Sequence, residues 1–403
     1  MKILFITPEG FDTAGPNNQM AMVMISDFLS GGYDVHLIQS RRKKEYPQIP
    51  QRLEGRKGFT CDIIDRKDID KSHLIVRYLD EVKYAFQGFR RWRKVRDADV
   101  VFVQSCPTVV WQLVLLKLIY RKPIVYNVYD VFPGHGKDVG MIKSSFIYKC
   151  FALLQKLAYA LSDVTVVLSE DMKQKLASQG VKPEKIRIVF PWYDVETVRE
   201  IPRDENRFIR EYGIEPGKFY VQFAGSIGVV LDRQSILEAA QLLKNEKDIV
   251  FQIIGDGGAR KKLEGELEQS GLENVRLYPW QPMDMIPDVY SAGSVCVIPL
   301  NKGVIGNGVP SKSPLLMACN RPIIALVEKD SHYYRLLNES GIGIAHDSND
   351  YRAMAESILE LYRNPEKISE LTRRANEYAR RELSSTVNTR KFMNIFDELG
   401  KKK

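Results

Sequence analysis

Short apolar runs recur along the first half of the chain and alternate with stretches whose apolar residues repeat every three or four positions. KILFIT is followed by NQMAMVMISDFLSGG, then by YDVHLIQ, and further on by ADVVFVQ, KPIVYNVYD, SDVTVVLS and KIRIVF. The second half repeats this grammar with KFYVQFAG, RQSILEAAQLLKN, DIVFQIIG, ENVRLYPW, GSVCVIPL and RPIIALV. Uninterrupted apolar strands belong to sheets covered on both faces, and their alternation with helical patterns predicts parallel order. Each half is therefore expected to fold as a doubly wound, Rossmann-like α/β domain. The grammar lapses and charge density rises over PWYDVETVREIPRDENRFIREYG, which puts the join at about residue 200. The expected plan is an N-terminal domain over 1–200, a C-terminal domain over 201–383, and a last segment, 384–403, that returns to the first domain as a helix.

One helical pattern stands apart. In SHLIVRYLDEVKYAFQGFRRWRKVR the residues Ile75, Leu79, Val82, Phe86, Phe89 and Trp92 recur at the spacing of one helix face. Two readings are open: a core helix with a solvated basic end, or a helix lying in a membrane interface with Phe89 and Trp92 down and Arg90, Arg91, Arg93, Lys94 and Arg96 on acidic headgroups. Charge gives the second reading weight. Between Arg41 and Arg96 there are 17 Lys and Arg against 8 Asp and Glu, a surplus of 9, so this stretch accounts for the whole net charge of +8. A surplus so concentrated points to an anionic partner.

A chain of 403 residues, 44% hydrophobic, is long enough for two domains with separate cores. Its five cysteines are scattered without a C-x-x-C pair and its five histidines are not spaced as metal ligands, so a reducing compartment and no metal are expected. MKILFITPEG reads as a strand entering a loop rather than a signal peptide, and the apolar stretch TVVWQLVLLKLIY is short and broken by Lys117. The expected location is cytoplasmic, peripheral on the inner face of the cell membrane, with no nucleic-acid partner.

Doubly wound domains bind ligands at the carboxyl ends of their strands, and two such domains facing one another leave a cleft there. The loops to consider in the second half are AGSIG (224–228), GDGG (255–258), YPWQP (278–282) and GNGVPSK (306–312). Gly225, Gly228 and Gly257 remove side chains where a ligand comes close, with Ser226, Gly255 and Asp256 beside them. Trp280 offers a flat face next to the amide of Gln281. In GNGVPSKSPLLMACNRP, Pro310 suits the first turn of a helix and Asn320 with Pro322 a stop, which predicts a helix over 310–319. Its free amides, with Ser311 and Lys312, would form an anion site. Ordinary turns explain each of these loops equally well when taken alone. In the first half, GPNNQ supplies Gly15, Asn17, Asn18 and Gln19, which serve either the cleft or the cap of the next helix.

Taken in order, KILFITPE, IVYNVYDVFP, QFAGSIG, IIGDGG, VYSAGSVCVIPL, VPSK and RPIIA resemble the retaining glycosyltransferases of family 4, two-domain GT-B enzymes that move a sugar from a nucleotide diphosphate donor. The chain looks nearest to the branch that makes bacterial surface polysaccharides and is similar to N-acetyl-fucosamine transferases, which carry a VPSK-type turn and an element matched here by Asp130, Val131, Phe132 and Pro133. The resemblance implies a nucleotide-sugar donor, uridine-linked by preference and deoxythymidine-linked as an option. It also implies a lipid-linked saccharide acceptor in capsule, O-antigen or exopolysaccharide synthesis, and neither cofactor nor metal. In the family proposal the departing phosphate takes the acceptor proton, which leaves Asp130 and His135 as candidates for acceptor positioning or proton handling and Lys312 as the catalytic cation. The departures matter. The family's Glu-x7-Glu pair falls on Asn307 and Leu315, and its diphosphate clamp of Arg and Lys falls on Ser226 and Leu231. The groups left to hold a diphosphate are the amides near Gly228 and around Gly308 and Pro310, with Ser311 and Lys312. The missing pair also keeps open a non-catalytic nucleotide-sugar-binding or scaffold protein. A nicotinamide dehydrogenase is disfavoured, because PEGFDTAG after the first strand lacks the G-x-G-x-x-G turn.

Overall fold

The computed structural model describes the chain except residues 12–15, 43–48, 68, 70–73, 92–95, 107–108, 135, 137–141, 143 and 402–403. It divides into two compact units, Met1–Phe190 with Ser385–Lys403, and Pro191–Ser384. The first seam falls about ten residues ahead of the join expected near residue 200, because Trp192 and Tyr193 are buried and the Tyr193 amide donates to the Leu383 carbonyl at 3.0 Å, pairing the entry and exit of the second unit.

Among the described residues the first unit holds seven strands: β1 (Lys2–Ile6), β2 (Asp34–Arg41), β3 (Phe59–Asp65), β4 (Val100–Gln104), β5 (Ile124–Asn127), β6 (Val164–Val167) and β7 (Ile186–Ile188). They are parallel in the order β3-β2-β1-β4-β5-β6-β7. The central strands are apolar throughout because both faces are covered: Ile3, Leu4, Phe5, Val101 and Phe102 are fully buried. Helix α1 (Pro16–Ser30) joins β1 to β2, α2 (Leu74–Arg91) joins β3 to β4, and α3 (Val110–Val114) runs into a π-helical turn at Leu115–Ile119 before β5. Helix α4 (Ser145–Leu161) precedes β6 and α5 (Glu170–Ser178) follows it.

The second unit holds six strands among the described residues: β8 (Phe219–Ala224), β9 (Ile249–Ile254), β10 (Val275–Tyr278), β11 (Val295–Pro299), β12 (Ile323–Leu326) and β13 (Ile344–His346), parallel in the order β10-β9-β8-β11-β12-β13. Its helices are α6 (Arg207–Tyr212), α7 (Arg233–Leu242), α8 (Arg260–Ser270), α9 (Ile286–Ser291), α10 (Ser313–Ala318), α11 (His332–Glu339), α12 (Tyr351–Arg363) and α13 (Pro365–Glu382). The last helix, α14 (Ser385–Gly400), belongs to the first unit. There Phe392 and Phe396 are fully buried, both meet the Phe102 ring edge-on at 5.5 and 6.4 Å, and Thr389 Oγ1 donates to Asp27 at 2.8 Å.

Helix α2 departs from its apolar periodicity. Leu79 and Phe86, on the stripe that the sequence left open to a core or a membrane-facing role, are 60% and 55% exposed, whereas Tyr84 and Ala85 are buried. Polar contacts choose the buried face. Arg66, itself buried, donates to Asp80 at 2.8 Å and to Glu81 at 2.6 Å on this helix and to the Pro8 carbonyl at 3.1 Å, while the Tyr84 hydroxyl donates to the Thr7 carbonyl at 2.8 Å. The side chains of Phe89, Arg90 and Arg91, and all of Trp92, Arg93 and Lys94, lie outside the described residues. Among the described residues no helix is long and apolar enough to cross a membrane.

Candidate functional site

The segment that follows β8 is fixed at both ends. At its start the Gly225 amide donates to the Ile254 carbonyl at 2.9 Å, and the Ile227 amide donates to that of Asp256 at 2.8 Å. At its end Leu231 bridges to Leu300, and Asn301 Nδ2 donates to the Val229 carbonyl at 2.7 Å. Ile227 is fully buried between these anchors, leaving Ser226 and Val229 exposed on the outer side.

Three glycines permit this packing. Gly225, Gly255 and Gly257 have φ of +149°, +152° and +153°, where a side chain is strained. A Cβ on Gly255 would lie 1.9 Å from the Gly225 carbonyl oxygen, and one on Gly257 would lie 2.4 Å from that of Ile227. The missing side chains of Gly255 and Gly257 thus make room for the neighbouring loop, where the sequence suggested room for a ligand at Gly257. Gly228 differs: among the described residues the only atom within 4 Å of a Cβ there is Ser226 Oγ, at 3.4 Å, so a side chain at this position would meet little.

Beneath this loop lies Lys312. Its Nζ donates to the Ala224 carbonyl at 3.0 Å and sits 4.0 Å from the centre of the Phe223 ring. A Cβ on Gly225 would come within 2.7 Å of that ammonium, so only glycine lets the cation reach the end of β8. Burial pushes the Lys312 pKa down to about 8, the weak field of Cys296 acting the other way. The Cys296 thiol is itself pushed up to about 12 by burial and stays neutral. Among the described residues no carboxylate pairs with Lys312. Lys312 is thus a half-buried cation at the carboxyl end of β8, with no carboxylate counter-charge among the described residues.

The segment before Lys312 corrects one expectation. The helix begins at Ser313 and ends at Ala318, short of the expected 310–319, and Pro314, in place of Pro310, occupies its first turn. Pro310 and Ser311 form a preceding turn that the Ser313 amide closes on the Pro310 carbonyl at 3.1 Å. The buried Ser313 hydroxyl meets Tyr333 Oη at 2.7 Å, which fixes the entry of α10. With only six residues, α10 is too short for its dipole to dominate, so the positive potential here comes chiefly from Lys312.

Two independent matches of sequence to known families cover most of both units. Residues 24–197 match the model described as Glycosyltransferase Family 4, and 218–364 match that described as Glycosyl transferases group 1. The probable glycosyltransferase WbjE of Pseudomonas aeruginosa is 30% identical over 297 residues, 72% of this chain and 73% of that protein. The chain belongs to glycosyltransferase family 4. The putative colanic acid biosynthesis glycosyl transferase WcaI of Escherichia coli is a further relative of this family 4 protein, 25% identical over 310 residues, 76% of this chain and 74% of that one. Anabaena HepE in complex with UDP and glucose has the same fold, with a TM-score of 0.75 at 14% identity over 99% of this chain and 100% of that one. The two Rossmann-like parallel sheets are those of a GT-B glycosyltransferase.

Other expected site residues of the family 4 chain fall as follows. Asn307 is fully buried and its Nδ2 donates to the Gly303 carbonyl at 3.0 Å, bracing the 303–308 loop from within. Gly308 and Pro310 are buried, while Ser311 and Leu315 are half-buried. Asp256 is exposed and accepts from the Gly257 amide at 2.7 Å. Trp280, 46% exposed, stands just past β10, and Gln281 Nε2 donates to Tyr212 Oη at 2.9 Å. In the first unit Asp130 is exposed just past β5. Asn18 is buried and donates to the Gly10 carbonyl at 2.9 Å, a brace for the β1–α1 loop, while Asn17 and Gln19 are exposed. Gly15 and His135 lie outside the described residues. Sequence reasoning missed Phe223, whose ring carries the Lys312 ammonium, and the Arg66, Asp80 and Glu81 cluster at the end of β1; in both cases the partners come from separate elements with no shared motif.

Proposed function

We propose that the protein is a retaining glycosyltransferase that moves a sugar from a nucleoside diphosphate, uridine-linked by preference, to a lipid-linked saccharide during assembly of a bacterial surface polysaccharide. The observation that carries this reading is the Lys312 ammonium, without a carboxylate partner among the described residues and held beside Gly225. A relative whose name places it in colanic acid biosynthesis, and a structural neighbour holding UDP and glucose, support it.

The leaving diphosphate accumulates charge as the glycosidic bond to it breaks. Lys312 and the backbone amides near Gly228 stabilise that charge, and they do so as fixed dipoles and a fixed cation. The phosphate oxygen so released takes the proton of the incoming acceptor hydroxyl, while Asp130, with His135, orients that hydroxyl. Ser226, Ser311 and Gly308 complete the phosphate shell, and Trp280 with Gln281 borders the donor on its β10 side. The first unit, where Leu79 and Phe86 of α2 are exposed, meets the membrane and brings the protein to a lipid-linked acceptor at the cytosolic surface. A second reading, a nucleotide-sugar-binding protein without turnover, is favoured by Asn307 and Leu315, which stand where the family has two glutamates.

The test is a thermal-shift panel of nucleoside diphosphates and their sugars, followed by product analysis by nuclear magnetic resonance. UDP at a hundredfold excess over its Kd should stabilise the fold by about 2.7 kcal/mol, and the matching donor should yield an axial or equatorial linkage with its own anomeric configuration kept. Stabilisation without turnover would select the second reading, and stabilisation by no nucleoside diphosphate would remove both.

A further inference from the structure

Helix α4 presents to solvent a face that a water-soluble surface does not explain. Phe146 and Leu153 are 75% and 70% exposed, and Leu157 is 43% exposed. They lie at i, i+7 and i+11, one stripe along the helix, with the exposed Cys150 between them. The opposite side, carrying Gln155, Ala158 and Tyr159, is buried, so the stripe is not a misplaced core face. Lys149 and Lys156 are exposed along one edge of the stripe, and none of the helix's 17 residues is acidic.

The surrounding surface continues the pattern. Lys117 holds Asp163, two residues past the end of α4, at 2.7 Å, which brings the exposed Leu118 and Ile119 of the π-helical turn close to that end. The Tyr78 ring of α2 packs on Phe151 of α4 at 6.0 Å.

We propose that α4 lies along an anionic lipid bilayer, with Phe146, Leu153 and Leu157 in the acyl boundary and Lys149 and Lys156 on the headgroups. A partly inserted helix needs large apolar side chains on one side and cations at the interface, and α4 supplies both without a repelling carboxylate. A second copy of the chain is the poorer occupant. Two-fold symmetry would set the same face against itself and oppose lysine to lysine. The proposal goes further than the membrane reading above by placing the contact on α4, and it is independent of the donor site.

The experiment is sedimentation of the full chain with vesicles, phosphatidylcholine alone or with one third phosphatidylglycerol. Each lysine near an anionic surface contributes about a fivefold factor in partitioning, so Lys149→Glu with Lys156→Glu should lower binding to the anionic vesicles at least 25-fold. Phe146→Ser with Leu153→Ser should lower it about a hundredfold. UDP affinity, unchanged in both variants, serves as the folding control, since all four side chains are exposed. Wild-type partitioning by both variants would overturn the proposal, and its loss on charge reversal at Arg90 and Arg91 alone would return the contact to α2. A wild-type protein that does not sediment with either vesicle would defeat the membrane reading altogether. A dimer in analytical ultracentrifugation that Leu153→Ser disperses would give the face to a second copy instead.

Discussion

Replacing Lys312 by methionine should remove most of the affinity for UDP while keeping a side chain of similar length over the Phe223 ring. At pH 7 the wild-type group is an ammonium, since its pKa, though lowered by burial, is about 8. A hydrogen bond from such a group to a phosphate contributes about 1.5–3 kcal/mol, a loss on the order of ten- to a hundredfold in Kd. The pH profile gives a second, independent signature. A bound diphosphate raises the Lys312 pKa again, so wild-type affinity is complete below pH 8 and falls by up to about tenfold per pH unit above it. The methionine variant should be flat over the same range. Folding stability moves the opposite way. Between pH 8 and the ordinary lysine value of 10.5 the unfolded chain binds more protons at this site, so the contribution of Lys312 to stability rises with pH in that window and is absent from the variant. Calorimetric titration of UDP at pH 7, 8 and 9, with the exposed Lys302→Met as control, measures all of this but the last, which needs chemical denaturation. Equal affinity of Lys312→Met and wild type at pH 7 would refute the reasoning, as would a wild-type affinity that stays level from pH 7 to 9.

Gly255→Ala forces a Cβ to within 1.9 Å of the Gly225 carbonyl, a clash only a backbone shift relieves, so UDP affinity should drop while Gly258→Ala, which meets nothing within 4 Å, leaves it intact; isothermal titration distinguishes the two. Leu315 accepts no hydrogen bond from a ribose, so free UDP and dTDP should bind within about tenfold of each other, or about 1.4 kcal/mol. Leu315→Glu should widen that gap in favour of UDP, and a wild-type preference above a hundredfold would show that another group reads the 2′-hydroxyl. Phe392→Ala empties a fully buried site against Phe102 and should cost the first unit about 3–5 kcal/mol in denaturant unfolding. An unchanged midpoint would mean that α14 is not part of its core.

The strands written in unbroken apolar runs were legible because both of their faces are covered. KILFIT, KFYVQFAG and GSVCVIPL could be read at sight as β1, β8 and β11. Two strands had no counterpart in the pattern. Both β3, with the sequence FTCDIID, and β13, only three residues long, lie at a sheet edge, where one neighbour is missing and polar residues are tolerated. The amphipathic stripe of α2 left two readings open for a different reason. Periodicity reports which residues share a face but not which face turns inward, and here the Arg66 contacts to Asp80 and Glu81 decide. In the candidate site, glycine positions were readable while their purpose was not. A glycine that admits a ligand and one that admits a neighbouring carbonyl look alike in sequence, and Gly255 and Gly257 prove to be of the second kind. Lys312 was readable from its turn, but its seat on Phe223 and under Gly225 depends on the end of β8, 88 residues away in the chain.

A crystal structure of the full chain soaked with UDP measures directly where a nucleoside diphosphate sits. Lys312 Nζ has donors to spare beyond its bond to Ala224, so a diphosphate oxygen is expected within about 3 Å of it and within reach of the amides near Gly228. A diphosphate bound elsewhere, for example in the arginine-lined hollow of about 560 Å³ formed by Glu200, Arg321, Arg373 and Arg380, with Lys312 still on Ala224 alone, would contradict it.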